Sequence, residues 1–436
     1  MNARKFTSAA LALVLATSLL AGCSGSKAPK TETPTTAAPA APAEKVTLEW
    51  WGWWASATRM PSINKIVEKW NADHPNTQVK YVYVPFDQIL TKYAASVAAG
   101  NPPDVVSADL ALLPQRASKK IAMELGSLGA DAMKDQFVPG LWQAGTFQGK
   151  QYSIPWMGDS RFLYYNKDLF AAAGLTDADA PKTWDDLKKV ADKLDKKENG
   201  KLSVAAFYPI IGNMSVQNWV YNAGGQMFDD RQFPMVNNET AIKTMDWVKS
   251  WNDRYGRAEW AAFAGAFGNG ANHPFVLKKV AMVVDTPTFQ GEALKNNPNL
   301  KIGRVPLPTP DGKQHPYAAI SSGFGIEIPT GSKHPKEAME FIKYWTGDAA
   351  VVWATEQNDI PANKASLGAV KTPGFEQVVA QMANTSYVQV PVYAPSWVTA
   401  LDTARDDVIS GKKDSKTALT EAQNAITKMI QDNMNK

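Results

Sequence analysis

From Val46 onward, short β-rich runs alternate with stretches in which apolar residues recur every three or four positions. VTLEWW opens the pattern, and Ile63, Ile66, Val67 and Trp70 follow at i, i+3, i+4 and i+7, the spacing of one helix face. VKYVYV comes next, then a second helical stretch with Ile89, Leu90, Tyr93 and Val97, then a short strand DVV at Asp104 to Val106. Strands separated by helices predict a βαβαβ unit and a largely parallel sheet. Further along, Thr183 reads as an N-cap before an acidic first turn, Asp185 and Asp186, with an apolar stripe of Trp184, Leu187, Val190, Ala191 and Leu194. Helices are also expected to start near Thr240 and Pro335, the latter burying Ala338, Phe341, Ile342 and Trp345 and stopping near Gly347. No internal repeat is visible.

The first residues follow a different pattern. Arg4 and Lys5 precede an apolar stretch from Ala9 to Leu20, and the string LLAGC ends at Cys23. This predicts a signal peptide over residues 1–22 with a lipobox, because the apolar run is shorter than the roughly 20 residues of a spanning helix. Cys23 is expected to become the first mature residue and to carry acyl chains that hold it in the bilayer, on the extracytoplasmic face of the cell membrane. It is also the only cysteine, so neither a disulfide nor a thiol catalyst is available. Residues 23–45 are Ala, Pro, Thr, Ser and Lys with almost nothing to bury, and read as a flexible, partly polyproline linker.

About 390 residues remain beyond the linker, more than one core ordinarily supports, which predicts two lobes. The formal charge of +4 falls to +2 once Arg4 and Lys5 leave, and without a Lys/Arg-rich patch no nucleic-acid partner is expected. His74, His273, His315 and His334 each precede a proline, which removes a two-histidine helical zinc motif. No carboxylate loop for calcium is recognisable either, so no metal and no cofactor is expected. G-x-S-x-G, H-E-x-x-H and Walker sequences are also absent.

Three ordered segments carry a resemblance. They are NPPDVVSADL at Asn101 to Leu110, GKQYSIPWMGDSRFLYYNKDLFAAAGLTDADAPKTWDDL at Gly149 to Leu187, and SSGFGIEIPTGSKHPKEAMEFIKYW at Ser321 to Trp345, followed by IPANKAS. Together they resemble the extracellular solute-binding proteins of ABC-type importers, the family that includes maltose-binding protein. The resemblance implies two α/β lobes that close by a hinge on a ligand held in the cleft. It places lobe one at 46–157 and 306–327 and lobe two at 158–305 and 328–436. Crossings fall near Pro155 to Gly158, Arg304 to Leu307 and Ile328 to Gly331. It further implies a monomer that captures an oligosaccharide and delivers it to ABC permease subunits. A surface carbohydrate sensor or adhesin is the first rival. A carbohydrate-active enzyme using a carboxylate pair such as Asp109 and Asp159 is the second.

Sugars present apolar C–H faces and a rim of hydroxyls, so their sites need flat aromatic rings and planar polar groups. The chain has 15 Trp. In EWWGWW, Trp50 and Trp51 cannot both face one core, and Trp53 and Trp54 follow a break at Gly52; Trp51, Trp53 and Trp54 are candidates for ligand contact, against packing beneath the next helix. Asp109 ends a strand where a ligand contact competes with an N-cap role, while Asp104 reads as structural.

The remaining candidates rest on the resemblance. Asp159, counted back from YNKDL, falls where maltose-binding protein has an acidic sugar ligand, with Arg161 as its ion-pair partner or orienting group. Trp219 matches a cleft-facing aromatic, against a core role, with Asn213 or Gln217 adding hydrogen bonds. Trp397 sits near a stacking tryptophan of the maltose binder. Phe324 matches a site often aromatic, and Asp285 adds a polar contact. In DTPTF the sequence departs from the maltose binder, since Thr288 stands where an aromatic platform is expected unless Phe289 fills it; maltose itself is not implied.

Overall fold

The computed structural model describes residues 45–435 apart from 230, 314, 316–322, 372–374 and 383–389. The expected signal peptide, Cys23 and the linker up to residue 44 lie outside the described residues. Among the described residues no helix is long and apolar enough to cross a membrane.

Two sheets organise the chain. Their strands, numbered along the sequence, are β1 (Val46–Gly52), β2 (Thr77–Tyr83), β3 (Val105–Asp109), β4 (Ile154–Gly158), β5 (Phe162–Asn166), β6 (Met282–Asp285), β7 (Ile302–Pro306), β8 (Phe324–Glu327) and β9 (Ile360–Pro361). The first sheet has the order β9-β4-β8-β3-β1-β2 and the second β6-β5-β7. The β2-β1-β3 half is parallel, as the alternating pattern predicts. The other half is not: β8 runs antiparallel to both β3 and β4, and β9 antiparallel to β4. Each of these pairs joins segments far apart in the chain, so no local pattern set their relative direction.

Helices cover both sheets. On the first, α1 (Met60–Asp73) buries Ile63, Ile66 and Trp70, and the Trp70 indole donates to the Thr77 carbonyl at 2.8 Å, tying the helix to β2. α2 (Phe86–Ala98) buries Ile89 and Tyr93, and α3 (Leu113–Ser118) follows β3. In the second sheet's layer, α4 (Trp184–Leu194) begins with a capping box. The Thr183 hydroxyl accepts from the Asp186 amide at 3.0 Å, and the Asp186 carboxylate accepts from the Thr183 amide at 3.1 Å. Further helices include α5 (Val216–Asn222), α6 (Glu239–Tyr255), α7 (Arg257–Ala264), α8 (Phe289–Asn296), α9 (Pro335–Thr346), α10 (Asp348–Gln357), α11 (Trp397–Ile409) and α12 (Ser415–Met434).

The expected division of the chain needs two corrections. α9 and α10, expected with the second lobe, pack on the first sheet, where Trp345 lies 4.3 Å from Trp50 and Trp353 lies 5.2 Å from Trp156. Residues 306–309, expected with the first lobe, stay with the second. Pro306 ends β7, Leu307 enters the second core, and Thr309 bridges to Thr183. The apolar face of α9 explains the first correction, because it can be buried only against the tryptophan-lined side of β1 and β4. Each such ring removes about 150–250 Å² from water, roughly 4–6 kcal/mol before entropy is counted.

A buried ion pair fixes β8 in its place. Arg116 on α3 donates to Glu327 from Nε at 2.9 Å and from Nη2 at 2.6 Å, and both side chains are almost wholly buried. The same Nη2 reaches the Asp109 carbonyl at 2.6 Å, so the pair also holds the end of β3. Glu327→Ala leaves the guanidinium buried without its counter-charge and is expected to cost about 3–5 kcal/mol. The double change Arg116→Met with Glu327→Met is expected to recover most of that loss. Urea unfolding of the three proteins checks this, and equal losses in the single and double variants would contradict it.

Candidate ligand-binding cleft

The sheet register brings distant segments to one edge. Asp109, the last residue of β3, lies opposite Phe324, the first of β8; Phe324 lies opposite Met157 of β4; and Gly158 lies opposite Ile360 of β9. The loops that continue from this edge carry Trp53 and Trp54 after β1, Asp159 after β4 and Asp359 before β9. Clefts of open α/β sheets form at such strand ends.

Of the tryptophans that follow Glu49, only Trp53 contributes to the aromatic part of this edge. Its ring lies 5.0 Å from Phe324 and 5.1 Å from Phe86, and Phe86 is 53% exposed. Trp54 is enclosed by Trp156 at 4.6 Å and Trp353 at 5.6 Å, so it belongs to the core. Trp51 faces the other side of β1, half-buried with the residues of α2, and its indole donates to Glu49 at 2.5 Å. Asp109 takes the capping role, accepting from the Ala111 amide at 2.7 Å.

A polar cluster lies past the end of β4, at the entry to β5. Arg161, at the entry to β5, is 8% exposed and held from three sides. Nε donates to the Asn213 carbonyl at 2.7 Å, Nη2 to the Asn213 side chain at 3.0 Å, and Nη1 to the Ser160 carbonyl at 3.0 Å. Nη1 also donates to Asp159, so the ion pair weighed from sequence is present. Asp285 ends β6 opposite Phe162 and accepts from the Thr286 amide at 2.7 Å.

The carboxylates of this cluster crowd one another. Burial pushes the Asp285 carboxyl up to about 6; the Thr286 amide and Arg161 oppose the rise, while Asp159 and Glu292 add to it. Asp359 is also pushed up to about 6 by burial, with Asp159 and Glu292 adding to the rise and Arg59 and the Trp353 indole, which donates to it at 2.8 Å, opposing it. Arg59 meets Glu292 at 3.6 Å. A cavity of about 470 Å³ opens between Asn213, Asp285, Phe289 and Glu292, and another of about 370 Å³ lies between Arg59, Thr288, Glu292 and Asn358. Phe289 supplies no exposed platform in place of Thr288, because its ring packs against Tyr164 at 5.2 Å and Phe275 at 5.4 Å.

Two further candidates are enclosed. Trp219 has no exposed surface, donates to the Pro209 carbonyl at 2.7 Å and is surrounded by Trp184, Trp247 and Phe207, the core role weighed against ligand contact. Trp397 is 3% exposed and meets Phe228 edge-on at 5.0 Å in the core that α11 and α12 form with α5 and α6. Both sit on inward helix faces. Phe86, Glu292 and Asp359 were not singled out from sequence. Phe86 carried a usable signal, as an aromatic at the first turn of a helix just past a strand end; the two carboxylates carried none.

The raised carboxyls make the stability of the fold depend on pH. A folded-state value near 6, above the ordinary value near 4, gives stability that is complete below pH 4 and is lost as pH climbs through 6. Asp285→Asn removes the charge and is expected to gain on the order of 2 kcal/mol over the parent at pH 7.5, and nothing near pH 4. Melting temperatures across that range check the sign. A variant less stable than its parent at pH 7.5 would contradict it.

Comparison with known proteins gives these features a family. The sequence profile of the bacterial extracellular solute-binding proteins matches residues 54–352. The chain is 29% identical over 360 residues to the maltooligosaccharide ABC transporter solute-binding lipoprotein of Streptococcus pneumoniae, covering 78% of this chain and 79% of the relative. It is 26% identical over 347 residues to the maltodextrin-binding protein MdxE of Bacillus subtilis, covering 77% and 79%. Among solved structures it is similar to CpMnBP1 with mannotriose bound, with a TM-score of 0.79, 29% identity, and coverage of 88% of this chain and 100% of that one. The GacH receptor of Streptomyces glaucescens, at 19% identity and a TM-score of 0.74, shares the fold. With its two-lobe α/β architecture, the chain belongs to the bacterial extracellular solute-binding protein family.

Proposed function

We propose that this chain is a lipid-anchored, extracytoplasmic receptor that captures a neutral oligosaccharide between its two lobes and presents it to an ABC permease. The observation that carries the reading is the pairing of an aromatic edge (Trp53, Phe86, Phe324) with a preorganised polar cluster (Asp159, Arg161, Asn213, Asp285, Asp359). Rings offer faces for the sugar's C–H groups, and the carboxylates accept its hydroxyl protons as charge-assisted hydrogen bonds. Arg161 is positioned by Asn213 and Ser160 before any ligand arrives, which lowers the ordering cost of binding.

Charge argues for a neutral sugar. Arg161 has Asp159 and Arg59 has Glu292, while Asp285 and Asp359 stand in addition. An acidic sugar would meet uncompensated carboxylates. The relatives support the ligand class, since one is named for maltooligosaccharide and another was solved with mannotriose. LLAGC, ending at Cys23, supports the anchor, and the Streptococcus pneumoniae relative is named as a lipoprotein. In this reading the two lobes hinge where the chain passes between the sheets, first at Gly158 to Phe162, and ligand contacts from both sides stabilise the closed form that the permease engages. The sugar is bound and released unchanged.

Isothermal titration of the full chain against neutral, amino and uronic-acid oligosaccharides tests the proposal. A neutral sugar is expected to bind. Asp159→Asn is expected to weaken it about ten- to a hundredfold and Trp53→Ala about three- to tenfold, each measured below the variant's own melting temperature. Binding of peptides or polyamines and of no sugar would overturn the ligand class, and preference for uronic acids would overturn the charge argument.

A further inference from the structure

Beside the cleft, in the same α/β layer as the second sheet, lies another cavity of about 480 Å³, and the two share Ile211 and Ala264 in their walls. One wall of this cavity is α7, whose Arg257, Trp260, Ala261 and Ala264 recur at helical spacing. The opposite wall is α11, with Arg405 and Asp406. None of the residues of α7 is buried, although the helix carries a tryptophan and a phenylalanine.

Trp260 is held as a shelf. Its ring stacks on Tyr208 at 4.0 Å with an interplanar angle of 17°, and Tyr208 is itself only 3% exposed. Tyr255 lies 5.4 Å from Trp260 and 6.5 Å from Tyr208, too close to Tyr208 for the two tyrosines to sandwich the indole from opposite faces, and Phe263 lies 5.6 Å from the indole, tilted by 37°. Polar groups stand around the shelf. Arg405 is oriented by Asp402 at 2.6 Å and by Asp406 at 3.0 Å, Asn252 donates to the Ile409 carbonyl at 3.4 Å, and Arg257 is exposed. A rigid indole face beside planar guanidinium and amide groups is the combination that sugar rings require.

We propose that the Trp260 shelf is an additional sugar subsite, continuous with the main cleft past Ile211 and Ala264, which takes the outer rings of an oligosaccharide too long for the cleft alone. The inference rests on the sugar-capture reading and adds ligand length to it. Each cavity falls within the roughly 300–1,000 Å³ range of small-molecule sites, so the joined groove suits a chain of sugars better than a single ring.

Calorimetric titration of the full chain with mannose- and glucose-based ladders, from disaccharide to heptasaccharide, tests it. Affinity is expected to rise with length by about three- to tenfold beyond the disaccharide, the worth of one stacking contact. Trp260→Ala is expected to abolish that rise and leave disaccharide affinity unchanged, and Ala264→Trp, at the junction of the cavities, to abolish the rise as well. Arg257→Ala, at an exposed position, is expected to reduce it. The inference is overturned if parent and variants gain equally with length, or if a disaccharide binds in an Asp159-dependent way and longer chains add nothing. Should no saccharide of any length bind the parent, the sugar-capture reading falls and this inference with it.

Discussion

β8 reaches the first sheet from far along the chain and inserts between β3 and β4, hydrogen-bonding to both. Closing so long a loop costs entropy that a four-residue strand does not obviously recover. Two local features compensate. Gly325 permits the close approach, since a Cβ there would come within 2.2 Å of the Ser153 hydroxyl and 2.7 Å of Leu110. Glu327 then locks the strand to Arg116 in a pair with almost no exposed surface. The edge on which Asp109, Phe324 and Gly158 come together exists only because this strand is seated, so the geometry of the cleft depends on a contact made at the far end of β8.

The polar cluster shows the opposite balance. Around Arg161 every donor named has an acceptor, yet Asp285 and Asp359 are buried beside other carboxylates and carry raised pKa values as a result. Strain of this kind in an otherwise consistent fold gathers where a ligand is expected to relieve it. Sugar hydroxyls are suitable relief, because each can donate to a carboxylate and accept from a guanidinium or amide at once.

Tryptophan was the most misleading of the sequence signals. Its abundance suggested a sugar site, but most of these rings build cores. Trp50 meets Trp345 at 4.3 Å, Trp54 meets Trp156 at 4.6 Å, and Trp184 stacks on Trp247 at 4.0 Å. A large ring that removes more than 150 Å² from water is as useful between a sheet and a helix as in a cleft, and composition does not separate the two. The Trp53 and Trp260 rings differ from these in being only partly buried.

The sequence by itself determined the βαβαβ beginning, the caps of α4 and the start of α9, because each depends on residues within one or two helical turns or on strict periodicity. It also placed Asp159 and Arg161 together, since they are two residues apart across the entry to β5. Only the tertiary structure decided that β8 and β9 run antiparallel, that α9 and α10 cover the first sheet, that Trp54, Trp219 and Trp397 are enclosed, and that Phe86, Glu292 and Asp359 join the cleft. These outcomes are set by which apolar faces find each other across long stretches of chain. Burial is non-directional in sequence and becomes specific only when the packed surfaces meet.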